Sequence, residues 1–116
     1  MKSKMNPAVK KIWIDALRSG LYKQGKHQLR ISLDRFCTLG VLCNLHAQAH
    51  PEIAAKQTNL YEYLGESYVL PVEAMKWAGL TGRGPMVDTK IGTIPHLNDI
   101  EKMTFDEIAD VIEEYL

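Results

Sequence analysis

Apolar residues recur at helical spacing in three long stretches of the chain and alternate with polar ones in shorter stretches between them. The first helical stretch predicts a helix from Pro7 to about Gly20. Ala8, Ile12, Trp13, Ala16 and Leu17 line one side, and Lys10, Lys11, Asp15 and Arg18 the other. Asn6 suits the N-cap, Pro7 the first turn and Gly20 a left-handed C-cap. The second stretch, 34–50, reads DRFCTLGVLCNLHAQAH and has almost no polar side. It predicts a central, buried helix with Asp34 as N-cap and Pro51 closing it. Gly40 inside it costs about 1 kcal/mol against Ala, which marks close approach of another backbone or a ligand. The third stretch opens with the capping box Thr104-Phe-Asp-Glu107, with Met103 and Ile108 at staple spacing. Phe105, Ile108, Ala109, Ile112, Tyr115 and Leu116 then face inward.

Between these lie shorter signals. Leu29, Ile31 and Leu33 alternate with Arg30 and Ser32 after a turn at Gln24-Gly25, which predicts a strand or extended arm. Residues 60–64 and 67–70 flank Gly65-Glu66 as a hairpin, Pro71 opens a short helix ended by Gly79, and 86–94 reads as a second short β segment. The expected fold is α+β and mostly helical. Three to four helices surround the central helix, about 34–50, with short β-hairpin segments, in one domain spanning 1–116.

Composition narrows the class. At 46% apolar and 24% charged, the 116 residues suit a globular protein, and no apolar run approaches the roughly 20 residues that cross a bilayer. The start, MKSKMNPAVKK, has no apolar signal core and the chain has two cysteines, so a reducing cytoplasm is expected and membrane partners are not. Net charge is zero but uneven. Residues 1–35 hold nine Lys/Arg against two Asp, +7; residues 99–116 hold seven acids against Lys102, −6. The two ends can neutralise each other within one fold, but the expectation is charge-complementary pairing into a homodimer. Non-specific duplex DNA binding is disfavoured without a net positive balance.

The candidate chemistry sits in three places. The basic loop supplies Tyr22, Lys23, Gln24, Gly25, Lys26 and Arg30, the parts of an anion site without a known phosphate motif; Asn98 and Asp99 are added to it as ligand-binding residues. Cys37 lies near a helix start, where a thiolate is stabilised, with His96 or His27 as base and Asn98 as a third member. A buried core thiol is the competing reading. Cys43, His46 and His50 share one helical face, yet a single helix rarely supplies three tetrahedral ligands and no CxxC completes a site. The expectation is therefore no metal and no cofactor, with that trio as the alternative.

The order ALRSGLYKQG, LR, FCTLGVLCNL, LPVEAMKWAGL, LND and MTFDEIADVIEEYL resembles a family of small uncharacterised proteins from tailed phages and prophages, over most of residues 6–116. The resemblance implies a phage accessory protein in the host cytoplasm, with no established activity. In that pattern a second cysteine often stands where this chain has Thr38, and an acid where it has Asn44. The expected function is binding, of a host protein or a small anionic, nucleotide-like ligand, as a means of counteracting host defence. The alternative is a cysteine-dependent hydrolase or transferase using Cys37.

Overall fold

The computed structural model describes residues 5–116; Met1 to Lys4, including two of the nine basic residues counted above, lie outside the described residues. Six helices and two small sheets follow in the order α1 (Pro7–Arg18), β1 (Lys23–Gln24), β2 (Arg35–Phe36), α2 (Thr38–Ala49), α3 (Pro51–Ala54), α4 (Val72–Ala78), β3 (Met86–Asp88), β4 (Gly92–Thr93), α5 (Ile94–Asp99) and α6 (Phe105–Tyr115). The fold is α+β and mostly helical. The short helices α3 and α5 are additions to the expected set, both begun by a proline within their first two positions.

Helix α1 starts as its caps dictate: the Asn6 side chain accepts from the N–H groups of Ala8 and Val9. Its buried row is Val9, Trp13, Ile14 and Leu17. That row is rotated from the expected one, leaving Ile12 41% exposed. The rotation presents α1 to both α2 and α6. Trp13 is wholly buried and its Nε1 donates to the Thr38 carbonyl at 3.1 Å, fixing α1 on the first residue of α2.

Helix α2 is the centre of the core: Leu39, Val41, Leu42, Cys43, Leu45 and His46 are all buried. Its N-cap is Cys37, not Asp34, and makes no side-chain capping bond. Asp34 instead pairs with Lys23 at 3.2 Å across the edge of the β1–β2 pair. Gly40 is the close-approach point that its place in the sequence predicts. The backbone of Leu29 crosses it so tightly that an added Cβ would lie 1.7 Å from the Leu29 carbonyl oxygen.

The β predictions fare unevenly. β3 and β4 pair antiparallel, as a hairpin would. β1 and β2 pair parallel, Lys23 with Arg35 and Gln24 with Phe36. Of the expected arm only Leu29 is buried; Leu33 is 74% exposed, because strand pairing there is confined to a single bridge between Arg30 and Phe36. The expected hairpin around Gly65 reduces to one bridge, Tyr63 with Glu66. Two-residue turns need flanking strands with partners, and this segment has none beyond that bridge.

Helix α6 closes the core along α1. Its capping box forms as predicted, and Phe105, Ile108, Ala109 and Ile112 are buried while Tyr115 is exposed. Arg18 donates to Asp110 and, at 3.1 Å, to Glu113; Lys10 donates to the Glu113 carbonyl at 2.9 Å. The basic and acidic ends thus meet inside one chain. Among the described residues, no helix is long and apolar enough to cross a membrane.

Candidate functional site

The predicted ligand residues separate into a polar knot and a cleft. Asn98, at the end of α5, is wholly buried. Its Oδ1 accepts from the Thr38 hydroxyl at 2.8 Å, the Gln24 amide at 3.0 Å and the Thr38 N–H at 3.3 Å. Its Nδ2 donates to the Gly25 carbonyl and to Asp99, both at 2.8 Å. Gln24 is used as fully: its amide nitrogen also donates to the Met103 carbonyl at 2.7 Å, and its oxygen accepts from the Phe105 N–H at 3.1 Å. Asp99 accepts from the His27 N–H at 2.9 Å. This knot ties β1, α2, α5 and the start of α6 together and leaves Gln24 and Asn98 no amide hydrogen to offer an anion.

Of the remaining candidates, Lys23 is paired with Asp34 on an exposed edge, Lys26 is exposed, and Gly25 is buried beneath Ile31 and Arg35. Arg30 enters a concave site. It lines a cleft of about 330 Å³, mouth included, with Phe36, Asn44, Gln57, Tyr61 and Tyr63; Leu29, Gly40 and Cys43 form part of its apolar lining. Only about 40 Å³ of it is enclosed space, well below the usual range of ligand pockets, so the cleft is a shallow one. The guanidinium stands 4.7 Å from the Phe36 ring centroid, a cation–π distance. Its Nε and Nη2 donate to the carbonyls of Ser32 and Leu33, which fixes the plane of the group. Burial lowers its pKa from the ordinary guanidinium value, which still leaves a cation at any physiological pH. Tyr22 backs the cleft: it meets Phe36 edge-on at 5.2 Å, and its hydroxyl accepts from Asn44 at 2.7 Å.

Sequence reasoning found Arg30 and missed the rest of this lining. Phe36 is brought to Arg30 by their bridge, a pairing that nothing in the residue pattern announces. The alternating aromatics Tyr61 and Tyr63 were a visible signal, since such residues often form one wall of a site.

The thiols are buried, Cys43 within the apolar lining of the Arg30 cleft and Cys37 at the start of α2. Cys37 is 6% exposed, and burial pushes its pKa up to about 11, against which nearby backbone N–H groups of α2 act only weakly. A nucleophile needs the opposite shift. Neither proposed base serves it: His96 meets Glu101 at 3.2 Å, and His27 faces Asp99. Burial thus works against the activated thiolate expected of Cys37 with His96 and Asn98. Burial also raises the pKa of Cys43.

His46 and His50 do lie together, with rings stacked at 4.2 Å. The Nδ1 of His46 is taken by the Tyr63 hydroxyl and that of His50 by the His46 carbonyl. Among the described residues no group of three or more His, Cys, Asp or Glu side chains is arranged to hold a metal ion.

A family model matches residues 5–116, from the first described residue to the last. The chain belongs to the family described as Domain of unknown function (DUF8296). No curated protein and no solved structure shows significant similarity to it. The family spans every element named above, so the knot and the Arg30 cleft both lie inside the DUF8296 unit.

Proposed function

We propose that the protein works by binding and not by covalent chemistry, as a small accessory protein of the phage kind that its sequence resembles. Its ligand is a small anion with a planar, nucleotide-like body, held at the mouth of the Arg30 cleft in the host cytoplasm and so withheld from host defence. The observation that supports this reading is the Arg30 guanidinium, fixed over Phe36 inside an apolar cleft whose other wall carries Tyr61. A cation with its plane set by two carbonyls is pre-organised for an oxyanion, and Tyr61, half-exposed at the mouth, offers a ring for stacking. Asn44, which gives one amide hydrogen to Tyr22, has its second beside them.

A thermal-shift screen of nucleoside monophosphates and cyclic dinucleotides tests this. A ligand at 100 times its Kd adds about 2.7 kcal/mol, roughly 10 °C in Tm for a chain of this size. The shift should vanish in Tyr61→Ala, whose exposed side chain is dispensable for folding, and in Arg30→Met. Absence of any shift across the panel would contradict the ligand reading.

The second reading, capture of a host protein, is favoured by Leu21 and Leu33, which are 82% and 74% exposed and precede the paired strands β1 and β2 by the same two positions. A pull-down from host lysate with Leu21→Ser/Leu33→Ser as control tests it.

A further inference from the structure

The wall of the cleft formed by residues 57–66 is fastened to the core from behind. Tyr63 is buried, and its hydroxyl lies 2.5 Å from Nδ1 of His46 in α2. His46 is itself only 2% exposed. His50 stacks on it, and Trp77 of α4 meets it edge-on at 5.2 Å. Every other hydrogen bond of residues 58–64, among the described residues, is made within 57–66: Gln57 to the carbonyls of Asn59 and Glu62, Tyr61 N–H to Asn59, Glu62 N–H to Asn59, and Tyr63 with Glu66. For 58–64, the hydrogen bond to His46 is the polar contact with the rest of the protein; the two flanks are held separately, Gln57 N–H by the Ala54 carbonyl and Glu66 by Arg83.

We propose that the His46–Tyr63 hydrogen bond is a proton-operated latch on residues 57–66, keeping that wall of the cleft closed at neutral pH and releasing it on acidification. It rests on the reading of the Arg30 cleft as the binding site, whose regulation it supplies.

The chemistry is that of one proton. Burial pushes the Tyr63 phenol up to about 12, so it keeps its hydrogen; neutral His46, taken in its Nε2–H tautomer, accepts that hydrogen at Nδ1. A proton on Nδ1 places a second hydrogen in the same short gap. The phenol must then turn its own hydrogen away into the core, and a cation is left between the His50 ring and Trp77. The groups around His46 are His50 at the end of α2, Glu52 of α3, Glu73 of α4, the Tyr63 hydroxyl and the Cys43 thiol one turn back. Burial, then His50, oppose the imidazolium; Glu73 and Glu52 favour it; the balance lowers the His46 pKa. Once the wall opens, His46 returns to the ordinary imidazole value near 6.5. The open state therefore binds more protons than the closed one in the window just below that value, and acid favours opening.

Amide hydrogen exchange at pH 7.5, 6.5 and 5.5, corrected for intrinsic rates, reads this without any ligand present. Protection of residues 58–64 should fall with acid, on the order of tenfold per pH unit at the steepest, because one proton is taken up on opening. Protection of α1 and α6 should hold. Tyr63→Phe should leave 58–64 poorly protected already at pH 7.5, and His46→Gln should abolish the pH slope. Unchanged protection of 58–64 in the wild type between pH 7.5 and 5.5 would overturn the latch, as would equal loss in α6, and both are read without a variant. A flat profile beside measured nucleotide binding would remove the latch and spare the binding reading. A sloped profile beside a silent ligand screen would do the reverse.

Discussion

The carbonyl oxygen of Leu29 occupies the space where a side chain at Gly40 would begin, 1.7 Å from an ideal Cβ. The loop carrying Arg30 therefore lies on α2 through a glycine that no other residue can replace without displacement. Gly40→Ala should gain about 1 kcal/mol of helix propensity. It should lose more than that by pushing the Leu29 backbone outward, for a net destabilisation of about 1–3 kcal/mol. Urea unfolding of the variant measures this; a neutral or stabilised Gly40→Ala would show that the loop does not rest on the helix.

Asn98 should behave as a structural residue. Asn98→Ala removes the partner of Thr38, Gln24, Gly25 and Asp99 at once and leaves buried donors unpaired, each costing about 1–3 kcal/mol. The expected result is a variant destabilised by roughly 3–5 kcal/mol. Thr38→Val should be milder, and a double-mutant cycle should give a coupling of about 1 kcal/mol between the two. Stability close to wild type in Asn98→Ala would reopen Asn98 as a ligand residue.

Gly40 and Asn98 show where the sequence is informative. An apolar helix interrupted by glycine can be read directly, because only close approach explains the glycine. The helix ends set by Asn6-Pro7, by Gly79 and by the Thr104–Glu107 box were legible for the same reason: local chemistry decides them. The use of Gln24 and Asn98 was not legible. Residues 74 apart were named for one site because both carry amides, and the amides do meet, but on each other. The cleft was least visible, since Arg30, Phe36, Gln57 and Tyr61 converge only through the path of loops. Asp34 likewise promised a cap and instead found Lys23, because the turn into α2 begins three residues later.

The thiols predict an alkaline limb. Cys37 is held up to about 11, so the folded state keeps a proton that the unfolded chain gives up near pH 8.5. Stability contributed by the neutral thiol is complete below that value and should fall as pH rises from about 8.5 toward 11. Iodoacetamide at pH 8 should leave Cys37 and Cys43 unmodified in the native protein and label both in urea. Fast labelling of Cys37 in native protein would contradict the buried-thiol account.

Part of the charge pairing lies within the chain. Arg18 meets Asp110 and Glu113, and Lys10 meets the Glu113 carbonyl, which joins the basic first helix to the acidic last one. Any self-association should then be insensitive to salt. Light-scattering mass should be the same at 0.02 M and 0.5 M ionic strength, although screening shortens from tens of ångströms to a few over that range. A dimer that dissociates in salt would show that the two charged ends also pair between chains.

Binding in the Arg30 cleft is decided by chemical-shift mapping of the ¹⁵N-labelled protein against the nucleoside monophosphate and cyclic dinucleotide panel. The predicted result is saturable perturbation of the Arg30 Nε–H, the Asn44 and Gln57 side-chain amides and the Phe36 and Tyr61 backbone amides, lost in Tyr61→Ala. Perturbation centred instead on Lys23, Lys26 or Asn98, or none across the panel at millimolar ligand, would contradict it.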